Sequence, residues 1–164
     1  MERIEKILKH PLYQSNCHKI EQLEAERIFC RHGIDHSLDV ARILYILILE
    51  RRLDLPKDII YATALLHDIG RAVEYEESRP HHEAGAGMAR EILRDCGYTE
   101  SEAEQISSAI ISHKCGQTDD RMAGQDILLS LLYEADKLSR NCFDCKAQGE
   151  CYWKEEQRNH TIKY

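Results

Sequence analysis

Apolar residues recur at helical spacing along nearly the whole chain, and no stretch alternates in the manner of a half-buried strand. The pattern predicts a short helix over 2–9, ended by Pro11, and a second over about 17–30. In the second, Ile20, Leu23 and Ile28 face inward and Gly33 lies beyond the end. A third, over about 36–52, carries Leu38, Val40, Ile43, Leu44, Leu47 and Ile48 and reads as the central buried helix. Pro56 suits the first turn of a fourth, about 56–68, which Gly70 helps to stop. Residues 71–80 read as a charged loop, and a fifth helix over about 81–95 ends at Cys96-Gly97. Thr99 and Glu102 form a capping box for a sixth, about 100–113. A polar loop from Cys115 to Gly124 precedes a seventh over about 125–140. The expected fold is all-α, a bundle of about six to seven helices over residues 1–140. Residues 141–164 form a Cys-rich, aromatic tail packed on the same domain.

The 164 residues suffice for one domain with a real core, and no repeat or second domain is visible. Net charge is -7 with both signs interleaved, so no basic stripe points to nucleic acid and no polybasic anchor to a membrane surface. The longest apolar run, Ile43 to Leu49, is too short to span a bilayer. The polar N-terminus lacks the apolar stretch of a signal peptide, and a cytoplasmic location is expected. Seven cysteines, an odd number, then point to metal ligands or free thiols rather than to a disulfide framework.

Nine histidines add the chemistry. His67-Asp68 closes the apolar fourth helix in "ALLHDIGR". An imidazole and a carboxylate at the edge of a core are costly to bury unless something satisfies them, and both are good ligands for zinc, iron or manganese. His36 opens the third helix, His81 the fifth, His113 closes the sixth, and Asp136 lies in the last turns of the seventh. Helix ends on one side of a small bundle can converge on a shared cavity. Any one of these residues alone reads as a cap or a surface group rather than as a ligand.

The ordered set resembles the HD superfamily of metal-dependent phosphohydrolases. The resemblance rests on His36 in "HGIDHSLDVARI", the pair in "ALLHDIGR" and Asp136 in "LLYEADKLSR", and it covers about residues 30–140. It implies one metal held by His36, His67, Asp68 and Asp136. "HHEAGAGMA" and "AIISHKCG" resemble the segments that supply a second metal, which implies His81 and His113 as further ligands with Asp68 shared. The distance to Gly85 favours His81, with its neighbour His82 the alternative. The hexad is similar to bacterial HD-type hydrolases of diadenosine tetraphosphate, and also to HD-GYP phosphodiesterases, although the Gly-Tyr-Pro element is missing. The implied reaction is hydrolysis of a nucleotide or related phosphate ester by a metal-activated water, with Asp68 central. Arg71, Lys114, Lys137 and Arg140 lie near ligands in sequence and are candidate phosphate partners, or else solvated surface charges. Two alternatives stay open: an HD-type di-iron oxygenase acting on a small organic substrate, and a non-catalytic metal-binding sensor.

The tail carries Cys142, Cys145 and Cys151 in "SRNCFDCKAQGECYW", a C-x2-C-x5-C spacing that can wrap zinc or a [4Fe-4S] cluster. It resembles the last three cysteines of the cluster loops in some DNA-repair glycosylases and nucleases. If His36 and Asp136 share a metal, Cys30, six residues before one, and Cys142, six after the other, lie close. Cys30 is therefore the favoured fourth ligand, ahead of Cys17 and then Cys115. The plain alternative is reduced thiols in a packed aromatic tail.

Overall fold

The computed structural model describes residues 1–112 and 125–164. Among these residues lie eight α-helices, three short 3-10 turns and no strand. The all-α bundle is as expected, with one more helix than the apolar pattern suggests. Helix α1 (Glu2–Lys9) has Glu2 and Glu5 in its first turn and Lys6 and Lys9 in its last, the order that complements the helix dipole. It ends at His10, which precedes Pro11 and is extended, as residues before proline tend to be.

Pro11 does not only end α1. It opens α2 (Pro11–Leu23), whose N-cap His10 accepts a hydrogen bond from the Leu12 backbone at 3.2 Å. The second helix therefore starts and stops earlier than the expected 17–30 span. Residues 24–33 are irregular, and Leu23 and Ile28 are exposed while only Ile20 of the expected trio is buried. Proline's fixed φ and missing N–H fit the first turn, a stronger signal than the spacing of those apolar residues. Gly33 N-caps the next helix rather than trailing the previous one.

Helix α3 (Ile34–Glu50) is the central element, packed on α4 (Lys57–Leu66) and α8 (Gln125–Leu138). Its Val40, Leu44, Leu47 and Ile48 join Ile60, Leu66, Ile92, Leu93, Ile106, Ile110 and Leu128 in one continuous core. Residues 71–80 are not a loop: Arg71–Glu77 form α5. Its charges obscure Ala72 and Val73, which are buried, and Arg71 pairs with Glu74 one turn on. Helix α6 (His81–Asp95) packs along α7 (Glu100–Ser112), and the Thr99–Glu102 capping box forms as the sequence predicts. Arg3 ties α1 to α4 and α7 through Asp58 at 2.8 Å and Glu102 at 2.7 Å.

Gly70 was expected to stop α4, but its backbone is ordinary (φ -80°, ψ -1°) and its role is packing. A Cβ there would lie 2.1 Å from the carbonyl oxygen of His81 and 2.6 Å from the amide nitrogen of Gly85. Only glycine lets the start of α6 press against the turn that follows His67-Asp68. That contact sets His81 beside Asp68.

The tail runs through 3-10 turns at Cys142–Asp144, Gln148–Glu150 and Glu155–Gln157. Asn159 donates to the carbonyls of Lys137 and Arg140 at 2.8 Å each, which holds the tail across the end of α8. No helix among the described residues is long and apolar enough to cross a membrane.

Candidate metal centre

Helix ends bring His36, His67 and Asp68 together, with one ligand atom of each within 4.8 Å of the others. Asp68 is the hub. Its Oδ2 lies 3.1 Å from His67 Nε2 and 3.6 Å from His36 Nε2, while its Oδ1 lies 3.4 Å from His81 Nε2 and 2.9 Å from Arg71 Nε. Asp136 joins from α8, with Oδ1 at 3.3 Å from His36 Nε2.

The other nitrogen of each imidazole is held from behind. His67 Nδ1 meets the Ala64 carbonyl at 2.7 Å, His81 Nδ1 meets Glu74 at 2.7 Å, and His36 Nδ1 meets Ser139 Oγ at 3.2 Å. Ser139 gives its own proton to the Asp136 carbonyl at 2.8 Å, so Oγ is the acceptor toward His36. In all three rings Nε2 is thereby turned toward Asp68. Metal-binding histidines are commonly oriented in this way by a partner on the second nitrogen.

Electrostatics keep the centre charged although it is buried. Burial opposes ionisation of Asp68, but His67 and Arg71 outweigh it and hold its carboxyl well below the usual range. Burial likewise opposes Asp136, and the His36 hydrogen bond and Arg140 overcome it. For His81, burial with Arg71 close by pushes the imidazole down to about 3, so it stays neutral and its lone pair stays available. A neutral His81 facing the ionised Asp68 belongs to a donor set for Zn, Fe or Mn, whereas at His67 burial is outweighed by Asp68, which raises that imidazole's pKa. Asp68 Oδ2 is buried and accepts no hydrogen bond among the described residues, an arrangement that a cation would relieve.

The basic candidates are engaged. Arg71 donates to Asp68 and, at 3.0 Å, to Glu74, while Lys137 lies 3.3 Å from Asp136 Oδ2 and 4.9 Å from the centre of the Trp153 ring. Arg140 Nη2 reaches both His36 Nε2 and Asp136 Oδ1 at 3.0 Å, a positive donor facing the same two atoms that would face a cation. Arg71, Lys137 and Arg140 nonetheless line one cavity beside Asp136. His113, Lys114 and Cys115 lie outside the described residues. His82 stacks edge-on against His81, at 5.7 Å between ring centres, and His81 is the one turned to Asp68. Cys30, Cys142, Cys145 and Cys151 also line that cavity. Cys17 packs against the core.

Four further residues, His32, Glu24, Glu74 and Ser139, surround the centre. His32 is buried, its ring 5.8 Å from that of His36, and its amide and Nδ1 both meet the Glu24 carboxylate. Tyr75 donates to the same carboxylate. Burial raises the Glu24 pKa, but the hydrogen bonds from His32 and Tyr75 prevail and bring it to about 2. The spacing of His32 four residues before His36 is the available signal for it. Glu74 and Ser139 have none, because their partners are distant in sequence or generic in type.

The HD domain family matches residues 33–141. An uncharacterized protein of Clostridium beijerinckii is 38% identical over the full length of both chains. Ribonuclease Y of Pseudothermotoga lettingae is 35% identical over 92 residues, which make up 56% of this chain but only 16% of that enzyme. Among solved structures, a predicted HD superfamily hydrolase from an uncultured Thermotogales bacterium superposes with a TM-score of 0.60 at 25% identity, covering 88% of this chain and 80% of that one. With its helix-end histidines gathered around Asp68, this chain belongs to the HD domain family.

Proposed function

We propose that this protein is a metal-dependent phosphohydrolase that cleaves a nucleotide or related phosphate ester or anhydride. The observation that carries the reading is the placement of Asp68, whose two oxygens face different histidines, His67 and His36 on one side and His81 on the other. A carboxylate so placed suits a shared position between two divalent ions. His36, His67, Asp68 and Asp136 would hold the first, and His81, with His113, the second. When bound, such ions supply a hydroxide near neutral pH and neutralise charge on the phosphoryl group.

The chain's own residues do the rest. Ala64, Glu74 and Ser139 fix the three imidazoles so that each offers Nε2. Arg71 balances the negative charge of Asp68 and, with Lys137, lines the cavity where phosphate oxygens would sit. The solved HD structure carries the description of a predicted hydrolase, which favours water as the acceptor. Ribonuclease Y by its name acts on RNA, and since the match is a fraction of that enzyme it supports phosphate-ester chemistry here and no more.

The test is phosphate release from a panel of nucleotides and dinucleoside polyphosphates by protein loaded with Mn²⁺ or Fe²⁺. Asp68→Ala should lower turnover by more than about a hundredfold, because even the partners behind a ligand cost about 10–100-fold, while the helical circular dichroism stays unchanged. Full turnover by metal-loaded Asp68→Ala would sink the assignment. Oxygen consumption with a small organic substrate, and no phosphate release, would move the protein to the oxygenase chemistry.

A further inference from the structure

Four of the six thiols among the described residues converge on one cavity beside the end of α8. Cys30 comes from the irregular 24–33 segment, Cys142 and Cys145 from the first 3-10 turn and its end, and Cys151 from the end of the second. All four line one cavity of about 80 Å³. They are close enough that Cys145, Cys142 and Cys151 each act electrostatically on Cys30. Cys17 and Cys96 lie elsewhere, against the hydrophobic core.

The surroundings suit an anionic group. Arg27 donates to the Cys30 carbonyl at 2.9 Å, Arg158 to the Cys151 carbonyl at 3.0 Å, and Arg140 to the Arg31 carbonyl at 3.2 Å. These three guanidiniums line the cavity with the thiols. Phe29, Tyr152 and Trp153 complete its wall, and the rings of Phe29 and Tyr152 meet edge to face at 6.2 Å.

Size separates the two obvious occupants. Tetrahedral zinc with Zn–S bonds of about 2.3 Å needs its sulfurs about 3.8 Å apart, which leaves no space among them. Among the described residues the only set of three ligand atoms within 4.8 Å is His36, His67 and Asp68, so the thiols stand wider than zinc requires. In a cluster each thiolate binds a different iron, so the sulfurs are spread around a core that fills the space between them.

We propose that Cys30, Cys142, Cys145 and Cys151 hold a [4Fe-4S] cluster that fastens the tail to the 24–33 segment. Two ferrous and two ferric ions with four sulfides make a core of charge 2+, and four thiolates bring the assembly to 2-. Each thiol loses its proton to solvent as its sulfur bonds iron. Arg27, Arg140 and Arg158 offset the resulting charge. Arg140 touches both centres, so the fastened tail also forms one wall of the His/Asp site.

The experiment uses the full chain purified without oxygen, or reconstituted with iron and sulfide. Acid-labile sulfide is the deciding readout, since iron at the His/Asp centre carries none. The expected result is four sulfides per chain with a broad visible charge-transfer absorption. Cys30→Ser and Cys145→Ser should each lose most of the sulfide while helical circular dichroism is retained, and Cys17→Ser and Asp68→Ala should keep it. Zinc bound without sulfide, thiols that stay metal-free in folded protein, or full sulfide in Cys30→Ser would each overturn the assignment. Retained sulfide together with failure of phosphate release would count against the hydrolase reading alone.

Discussion

The His/Asp centre and the thiol cavity share a wall at Arg140 yet are built in different ways. The donors of the first stand on or beside helices whose other faces lie in the core: His36 on α3, His67-Asp68 after α4, His81 at the start of α6 and Asp136 on α8. The thiols come from irregular chain, and among residues 141–164 only Cys142 and Ala147 are buried. Burial of apolar side chains organises the first centre before any ligand arrives. The second has little core of its own, so what it binds must supply much of its order. Helix-mounted sites are therefore expected to fail through packing, and the thiol region through the few polar contacts of its segments.

Gly70→Ala breaks the helix-mounted side most strongly. Its Cβ would lie 2.1 Å from a backbone oxygen, and overpacking of this kind costs about 1–3 kcal/mol or more. Denaturant unfolding should show that loss, and metal titration should show weaker binding as His81 moves away from Asp68. Wild-type stability in Gly70→Ala would mean that α6 is not held by this contact. Glu74→Gln tests the orientation of His81, whose Nδ1 Glu74 holds at 2.7 Å, and also removes the charge that pairs with Arg71. Metal affinity should fall about 10–100-fold with helical content intact, read by competition with a chelating dye.

The smallest effect falls on the irregular segment. Glu24 holds the His32 backbone and ring and the Tyr75 hydroxyl. Its folded pKa is about 2, against an ordinary 4.5, so its stabilisation is complete above 4.5 and is lost as pH falls toward 2. Glu24→Gln should cost roughly 1 kcal/mol at neutral pH and flatten the stability profile across that window. An unchanged acid profile would show that the 24–33 segment does not depend on this carboxylate.

Regular helices were the most legible part of the chain. Over 36–52 the apolar period and over 81–95 the glycine past the end point to helices, and both form within two residues of expectation. Around 17–30 the period misleads, because Leu23 and Ile28 share a plausible face but are exposed. In 71–77 the high charge conceals a helix that is stabilised by Arg71–Glu74 and by burial of Ala72 and Val73. Of the centre, the residue types and their order could be read in the chain, but their distances could not.

By itself the sequence determined an all-α fold and which imidazoles, carboxylates and thiols were available, because periodicity and side-chain chemistry are local properties. Only the tertiary structure decided that both oxygens of Asp68 face histidines, that Glu74 and Ser139 turn His81 and His36 inward, and that Cys30 meets the tail. Those relations depend on how helices cross, and a crossing is set by contacts such as Gly70 against His81 and Gly85, between residues that no local pattern links.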